Sequence, residues 1–120
     1  MTTLGTRNVR DEPRRDDGHR VLVDRLWPRG LARDRARLDD WFKHVAPSDE
    51  LRRWFGHDPR KFEAFRRRYR TELDTNDAVP QLQRVLREHD TVTLLHGARD
   101  PEHNNAAVLL EYLREHRSGY

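Results

Sequence analysis

A chain of 120 residues has room for one domain around one modest core, and a charged fraction of 38% against 34% hydrophobic demands a very polar surface. The 24 basic residues are 22 Arg and two Lys, but 21 acidic residues leave a net charge of only +3, not the one-sided excess of a nucleic-acid binder. The absence of cysteine excludes thiolate catalysis, thiolate metal sites and disulfides, and no apolar stretch approaches the ~20 residues of a membrane span or forms a secretory leader, so a soluble cytoplasmic protein is expected. An arginine preference this lopsided also follows from codon usage in a GC-rich genome, so a single arginine carries little functional weight.

In chain order, TLGTRNV at 3–9 reads as a weak edge strand, and the polar loop DEPRRDDGH at 11–19 as mobile or ligand-facing. RVLVD at 20–24 and TVTLL at 91–95 are β-branched runs, apolar at consecutive positions, the pattern of neighbouring parallel strands covered on both faces. Leu38, Trp41, Phe42 and Val45 recur at helical spacing and predict a helix stopped by Pro47. Ser48 then caps a short helix carrying Leu51, Trp54 and Phe55, with Gly56 past its end. Asp58 and Pro59 open a third helix with the inner stripe Phe62, Phe65 and Tyr69. A fourth begins near Asn76 or Asp77 and carries Val79, Leu82, Val85 and Leu86. Asp100 and Pro101 repeat the start signal for a last helix whose Ala106, Leu109, Leu110 and Leu113 face the sheet, leaving 114–120 as a tail. The expectation is a single α/β domain over 1–120, with a small, mostly parallel sheet of about three strands covered by about five helices.

Open parallel sheets gather ligands beyond the carboxyl ends of their strands. Three loops should meet there: Asp24 to Gly30, HGARDPEHNN at 96–105, and FGHDP at 55–59. Arg25 and Arg29 offer forked donors to a carboxylate or phosphate. Gly97 permits close backbone approach, Arg99 and the amides of a helix opening at Pro101 make an anion site, and His103 and Asn104 add polar groups. Asp24, His57 and Asp58 are the acid–base candidates. Against these stand plainer alternatives: Asp100 merely caps, His57 is a loop histidine, and Asp24 with Arg25 forms a buried ion pair that fixes the loop. No HExxH, GxSxG, GxxxxGK[ST] or GxGxxG pattern occurs, so neither a metal site nor a cofactor is expected. In FRRRYR at 65–70, Phe65 and Tyr69 fit the core stripe and the arginines a solvated helix face.

Pro28 biases Trp27 toward extended geometry, which would put Arg25, Trp27 and Arg29 on one side and Leu26 on the other. Either the indole packs beneath both guanidiniums as a platform for an anion, or it plugs the core while both arginines splay outward. The functional reading is a small anionic ligand bound at the strand ends. The competing one is a protein or nucleic-acid interaction module without catalysis, built on WPRG and the arginine-rich helix. Of the two macromolecules, nucleic acid fits the charge balance poorly.

VLVDRLWPRG at 21–30, APSDELRRWFGHDPRKFEAFRRRY at 46–69 and VTLLHGARDPEHNNAAVLLEYL at 92–113 resemble three hallmark blocks of the YeaO-like family, domain of unknown function 488. The resemblance covers about Gly18 to Leu113 and implies a small soluble bacterial α/β protein without an established activity. Larger relatives carry cysteines around the loop matching 96–105, where this chain has His96 and Asn104, so thiol or metal chemistry does not carry over. His96 and Gly97 also stand where close relatives often have tyrosine or alanine. Some members bear a uroporphyrin methyltransferase label, for which this chain lacks a glycine-rich S-adenosylmethionine loop and is too short.

Overall fold

The structure, a computed structural model, describes residues 2–116. Four strands, β1 (Thr3–Asn8), β2 (His19–Leu22), β3 (Asp40–Trp41) and β4 (Thr91–His96), form a sheet in the order β1-β4-β2-β3, with every pairing parallel. The two apolar runs lie side by side as their composition predicts, with Val21 opposite Leu94 and Leu22 opposite Leu95. β1 is an edge strand, paired along its length with β4.

Alternation along the strands feeds two unequal cores. Val21, Val23, Val92 and Leu94 enter the large one, which is filled from α2 (Asp49–Phe55), α3 (Phe62–Asp74), α4 (Ala78–Glu88) and α5 (Asn105–Glu115). Leu22, Leu95 and Val9 enter a small one on the opposite side, shared only with Ala36 of the four-residue α1 (Arg33–Ala36) and with partly buried Trp27, Leu31, Leu38 and Trp41. The caps are largely as read: Ser48 Oγ accepts from Leu51 N at 3.2 Å, Gly56 ends α2 in the left-handed region, and Asp58 caps the 3-10 turn Pro59–Lys61 that leads into α3.

The helix expected over Leu38–Val45 does not form. Asp40–Trp41 instead becomes a fourth strand beside β2, and Lys43–Val45 a single 3-10 turn. The helical spacing misleads because the four apolar residues serve two faces of a sheet edge: Leu38 and Trp41 join the small core, Phe42 and Val45 the large one. Backbone bonds from Asp39 N to Arg20 O and from Phe42 N to Leu22 O, both 2.8 Å, satisfy the carbonyls that β2 would otherwise leave bare.

Two further expectations shift. Asp100 does not start the last helix: its Oδ1 accepts from Glu102 N and His103 N at 2.9 and 3.1 Å, closing a local turn. The helix starts four residues later, where Asn104 Oδ1 accepts from Ala107 N at 2.8 Å. Two cap signals stand in series, and the one whose side chain is buried opens the helix. Likewise α5 continues through residues 114 and 115, while 117–120 of the expected tail lie outside the described residues.

The 11–19 loop, expected to be mobile or ligand-facing, is tied back onto the sheet through the side chain and carbonyl of Asp17. Its 3-10 turn, Arg15–Asp17, buries the Asp17 carboxylate against Arg7 Nη1 at 2.8 Å, Arg20 Nη1 at 2.5 Å and Arg14 N at 2.9 Å. Thr93 Oγ1 donates to Asp17 O at 2.7 Å, which ties the turn across β4. Burial opposes ionisation, but the Arg14 amide and the two guanidiniums outweigh it and hold the carboxyl below its ordinary range. Gly18 follows at φ 66°, and a Cβ there would lie 2.3 Å from Thr91 O.

Two outcomes are expected in urea denaturation. Gly18→Ala should cost about 1–3 kcal/mol from backbone strain alone, more with the Thr91 clash, whereas Gly5→Ala, whose Cβ meets nothing within 4 Å, should not destabilise. Asp17→Asn should cost about 3–5 kcal/mol at neutral pH by stranding two guanidiniums. Because the folded carboxyl titrates below the unfolded one, the stabilisation is present above the unfolded value and is lost as pH falls through the folded one. The gap between the native chain and Asp17→Asn should therefore narrow in strong acid.

Candidate functional site

Past the last ladder bonds, Val23 N to Leu95 O and Val9 N to His96 O, the strand ends diverge and a crevice opens. Asp24 latches it. Its Oδ2 accepts from Gly97 N at 2.9 Å, its Oδ1 from Asn105 Nδ2 at 3.1 Å, and its carbonyl from Trp41 Nε1 at 2.7 Å. The same Asn105 Nδ2 also donates to Val23 O at 3.1 Å. A Cβ on Gly97 would sit 3.4 Å from Asp24 Oδ2 and 3.3 Å from Arg10 Nη1, so glycine keeps this approach close. His96, buried just before it, accepts from Ala98 N through Nδ1 at 3.2 Å. Burial holds this imidazole below its ordinary pKa although Asp24 and Asp11 pull the other way, so it shapes the turn as a neutral ring.

The WPRG segment resolves in favour of the plug. Trp27 Nε1 donates to Leu31 O at 2.7 Å, the ring meets Trp41 edge-on at 5.4 Å, and the indole packs against the small core. The cation over its face is Arg33, at 4.6 Å, rather than either neighbour in sequence. Arg25 turns toward α2: its Nε and Nη2 reach the Ala46 and Pro47 carbonyls at 3.3–3.4 Å and its Nε lies 3.7 Å from Asp49. The Asp24–Arg25 ion pair does not form. Arg29 is exposed, and its carbonyl is clamped by Arg10, which donates to Arg29 O at 3.0 Å and to Gly97 O at 3.2 Å.

Between these loops lies a cavity of about 250 Å³. Its buried wall includes Pro28, Ala46, Pro47, Ala98 and the rings of Phe55 and Phe65, stacked 4.2 Å apart. Tyr69, whose phenol burial drives well above its ordinary pKa, donates to Val45 O at 2.6 Å and fixes the chain leading into Ala46 and Pro47. Around the opening stand Arg10, Arg25, Arg29, Arg52 and His57. Arg52 lies 3.5 Å from Asp49, so four guanidiniums face two carboxylates, Asp24 and Asp49. Arg10 and Arg29 make no ion pair among the described residues. His57 is held at φ 58°, directly after Gly56 at φ 53°, and this left-handed pair turns its ring to the opening.

A family model described as the inactive DUF488-N3 subclade matches residues 3–118. The chain belongs to the YeaO-like DUF488 family. Among its relatives, the uncharacterized protein YeaO of Escherichia coli is 36% identical over 108 residues, covering 90% of this chain and 94% of YeaO. The uncharacterized protein Rv3073c of Mycobacterium tuberculosis is 45% identical over 98 residues, 82% of each chain. No solved structure matches significantly.

In this DUF488 chain, Asp24, Arg25, Trp27, Arg29, His57, Gly97 and Asn104 line one cavity, whereas Asp58, Arg99 and His103 are not part of its lining. Asp58 is spent on Arg60, accepting from its backbone at 3.0 Å and from its guanidinium at 3.2 Å. His103 Nδ1 lies 2.8 Å from Asp100 Oδ2, with its ring edge-on to Phe62, and Arg99 is exposed. Sequence reasoning missed Arg10, Arg52 and Asn105. Arg10 adjoins a loop that reads as mobile or ligand-facing, and Arg52 is one more arginine on a wet helix face. Asn105, next to the cap Asn104, carried no signal of its own. Asp24→Ala should cost about 1–3 kcal/mol in thermal or urea unfolding by leaving the Gly97 amide without its acceptor and Asn105 Nδ2 with Val23 O alone, and Asp24→Asn, which keeps one oxygen, should cost less.

Proposed function

We propose that the strand-end cavity binds a small anionic ligand and that this chain is a binding protein without catalysis. The observation that carries the reading is the charge around the opening: four guanidiniums against two carboxylates, with Arg10 and Arg29 lacking any acidic partner among the described residues. A guanidinium at the edge of an apolar cavity is worth more to an anion than the same group in open water.

The absence of catalysis is supported by what the acid–base candidates already do. Both Asp24 oxygens accept hydrogen bonds from the protein, and Asp58 is engaged by Arg60. Among the described residues His57 has no carboxylate partner to orient it as a base. The matching family model, that of an inactive subclade, agrees with this.

The nucleic-acid reading draws less support. Arg66 and Arg70 of the arginine-rich helix are engaged by Glu111 and Glu115, and Arg68 stacks on Trp54 at 4.3 Å. That face has few free cations for a phosphate backbone.

Isothermal titration calorimetry with a panel of phosphorylated and carboxylated metabolites tests the proposal. At least one should bind the native chain, and the Arg25→Ala, Arg29→Ala double variant should bind it more than tenfold weaker, since a charge-assisted hydrogen bond contributes about 1.5–3 kcal/mol. Equal affinity for the two proteins would overturn it.

A further inference from the structure

We infer that the ligand is an amphiphilic anion, a single aromatic or branched apolar group bearing one phosphate or carboxylate, seated with its apolar end inward. The inference rests on the anionic-ligand reading and narrows it to a chemical class. It starts from the way the cavity lining is sorted by depth. Its cations belong to residues that keep substantial exposure: Arg10 and Arg29 are exposed, and the Arg25 and Arg52 side chains retain 30% and 42%. Deeper in, Phe55 and Phe65 are 5% and 1% exposed, Ala46 and Ala98 5% and 8%. The interior is therefore hydrocarbon and the entrance is cationic.

Most of the polar groups that do face inward are already committed. Asp24 uses both oxygens on Gly97 and Asn105. Asn104 uses its oxygen to cap α5 and its amide on Asp100 O. Asn105 spends its amide on Val23 O and Asp24. A sugar or polyol end would bury several hydroxyls against phenyl rings with few partners, which is unfavourable. An apolar end replaces water there and gains burial. At about 250 Å³ the cavity falls below the roughly 300–1,000 Å³ of sites for drug-sized ligands, so one ring fits and a dinucleotide does not.

Leu26 adds a separate observation. It is the large hydrophobic side chain left exposed among the described residues, at 60%, and it stands at this opening beside Arg25. An apolar ligand whose charged end meets the arginines gives Leu26 a surface to cover. A fully hydrated anion does not.

Titrations of the full chain followed by amide NMR, with the Gly97 and Asn105 signals reporting the site, test this with two matched pairs of probes. Phenyl phosphate is compared with glycerol 3-phosphate, and phenylacetate with acetate. In at least one pair the aryl probe should bind tenfold or more tighter, and which pair responds identifies the charged group. Leu26→Ser, at an exposed position that leaves the core intact, should weaken the aryl probe about threefold or more and leave glycerol 3-phosphate unchanged. A preference below tenfold in both pairs overturns the amphiphilic class while the anionic reading stands. An unchanged aryl affinity in Leu26→Ser overturns the role of Leu26. If neither the probes nor the metabolite panel binds, both readings fail.

Discussion

A sheet with its long helices on one face must close the other face by different means, and here a buried carboxylate does so. Asp17 gathers Arg7 from β1, Arg20 from β2 and the Arg14 amide, while its own carbonyl takes the Thr93 hydroxyl from β4. Arg20 then extends the cluster to the Ala36 and Arg37 carbonyls at 2.8 and 3.1 Å, which anchors the end of α1. Three strands and two connecting segments thus hang on one charge. Burying ions brings little net stability, so the cluster is better understood as a positional device: it fixes where segments that bury few apolar side chains must lie.

That division of labour bears on how an arginine-rich chain should be read. Arg20, buried, and Arg7, half-buried, are structural cations. Arg66, Arg68 and Arg70 are absorbed by Glu111, Glu115 and Trp54. Arg10 uses its guanidinium as a staple between the Gly97 and Arg29 carbonyls. At the strand-end cavity the neighbours are carbonyls and few carboxylates, so positive charge is left over around its opening. The partners of each arginine, more than the number of arginines, single out the candidate site.

The fold class and the meeting of three loops were legible because their signals are local and periodic: consecutive β-branched residues at 20–24 and 91–95, Ser48 and Gly56 around α2, and the stripe of Phe62, Phe65 and Tyr69. The failures came where one pattern supports two geometries. Leu38, Trp41, Phe42 and Val45 satisfy a helix by spacing and a sheet edge by partition between two cores, and only the unpaired carbonyls of β2 decide between them. Asp100 and Asn104 are both good caps, and burial chooses. The arginines that flank Trp27 in sequence leave both a platform and a plug open, but the cation over its ring is Arg33, one helix later, and its indole N–H donates to Leu31 O. Arg10 and Arg52 were invisible for a simpler reason: nothing in a sequence this rich in arginine marks which of them face a cavity.

The two edges of the sheet are unequal. On one side β3 offers two residues before the chain turns into a 3-10 helix, while on the other the six-residue β1 has its Leu4 carbonyl taken by Arg114 Nη2 and its Asn8 carbonyl by Asp11 N, both at 3.0 Å. A strand arriving from another molecule would meet a two-residue edge at β3 and a partly capped one at β1, which are two of the ways in which sheet edges are kept from pairing with other chains.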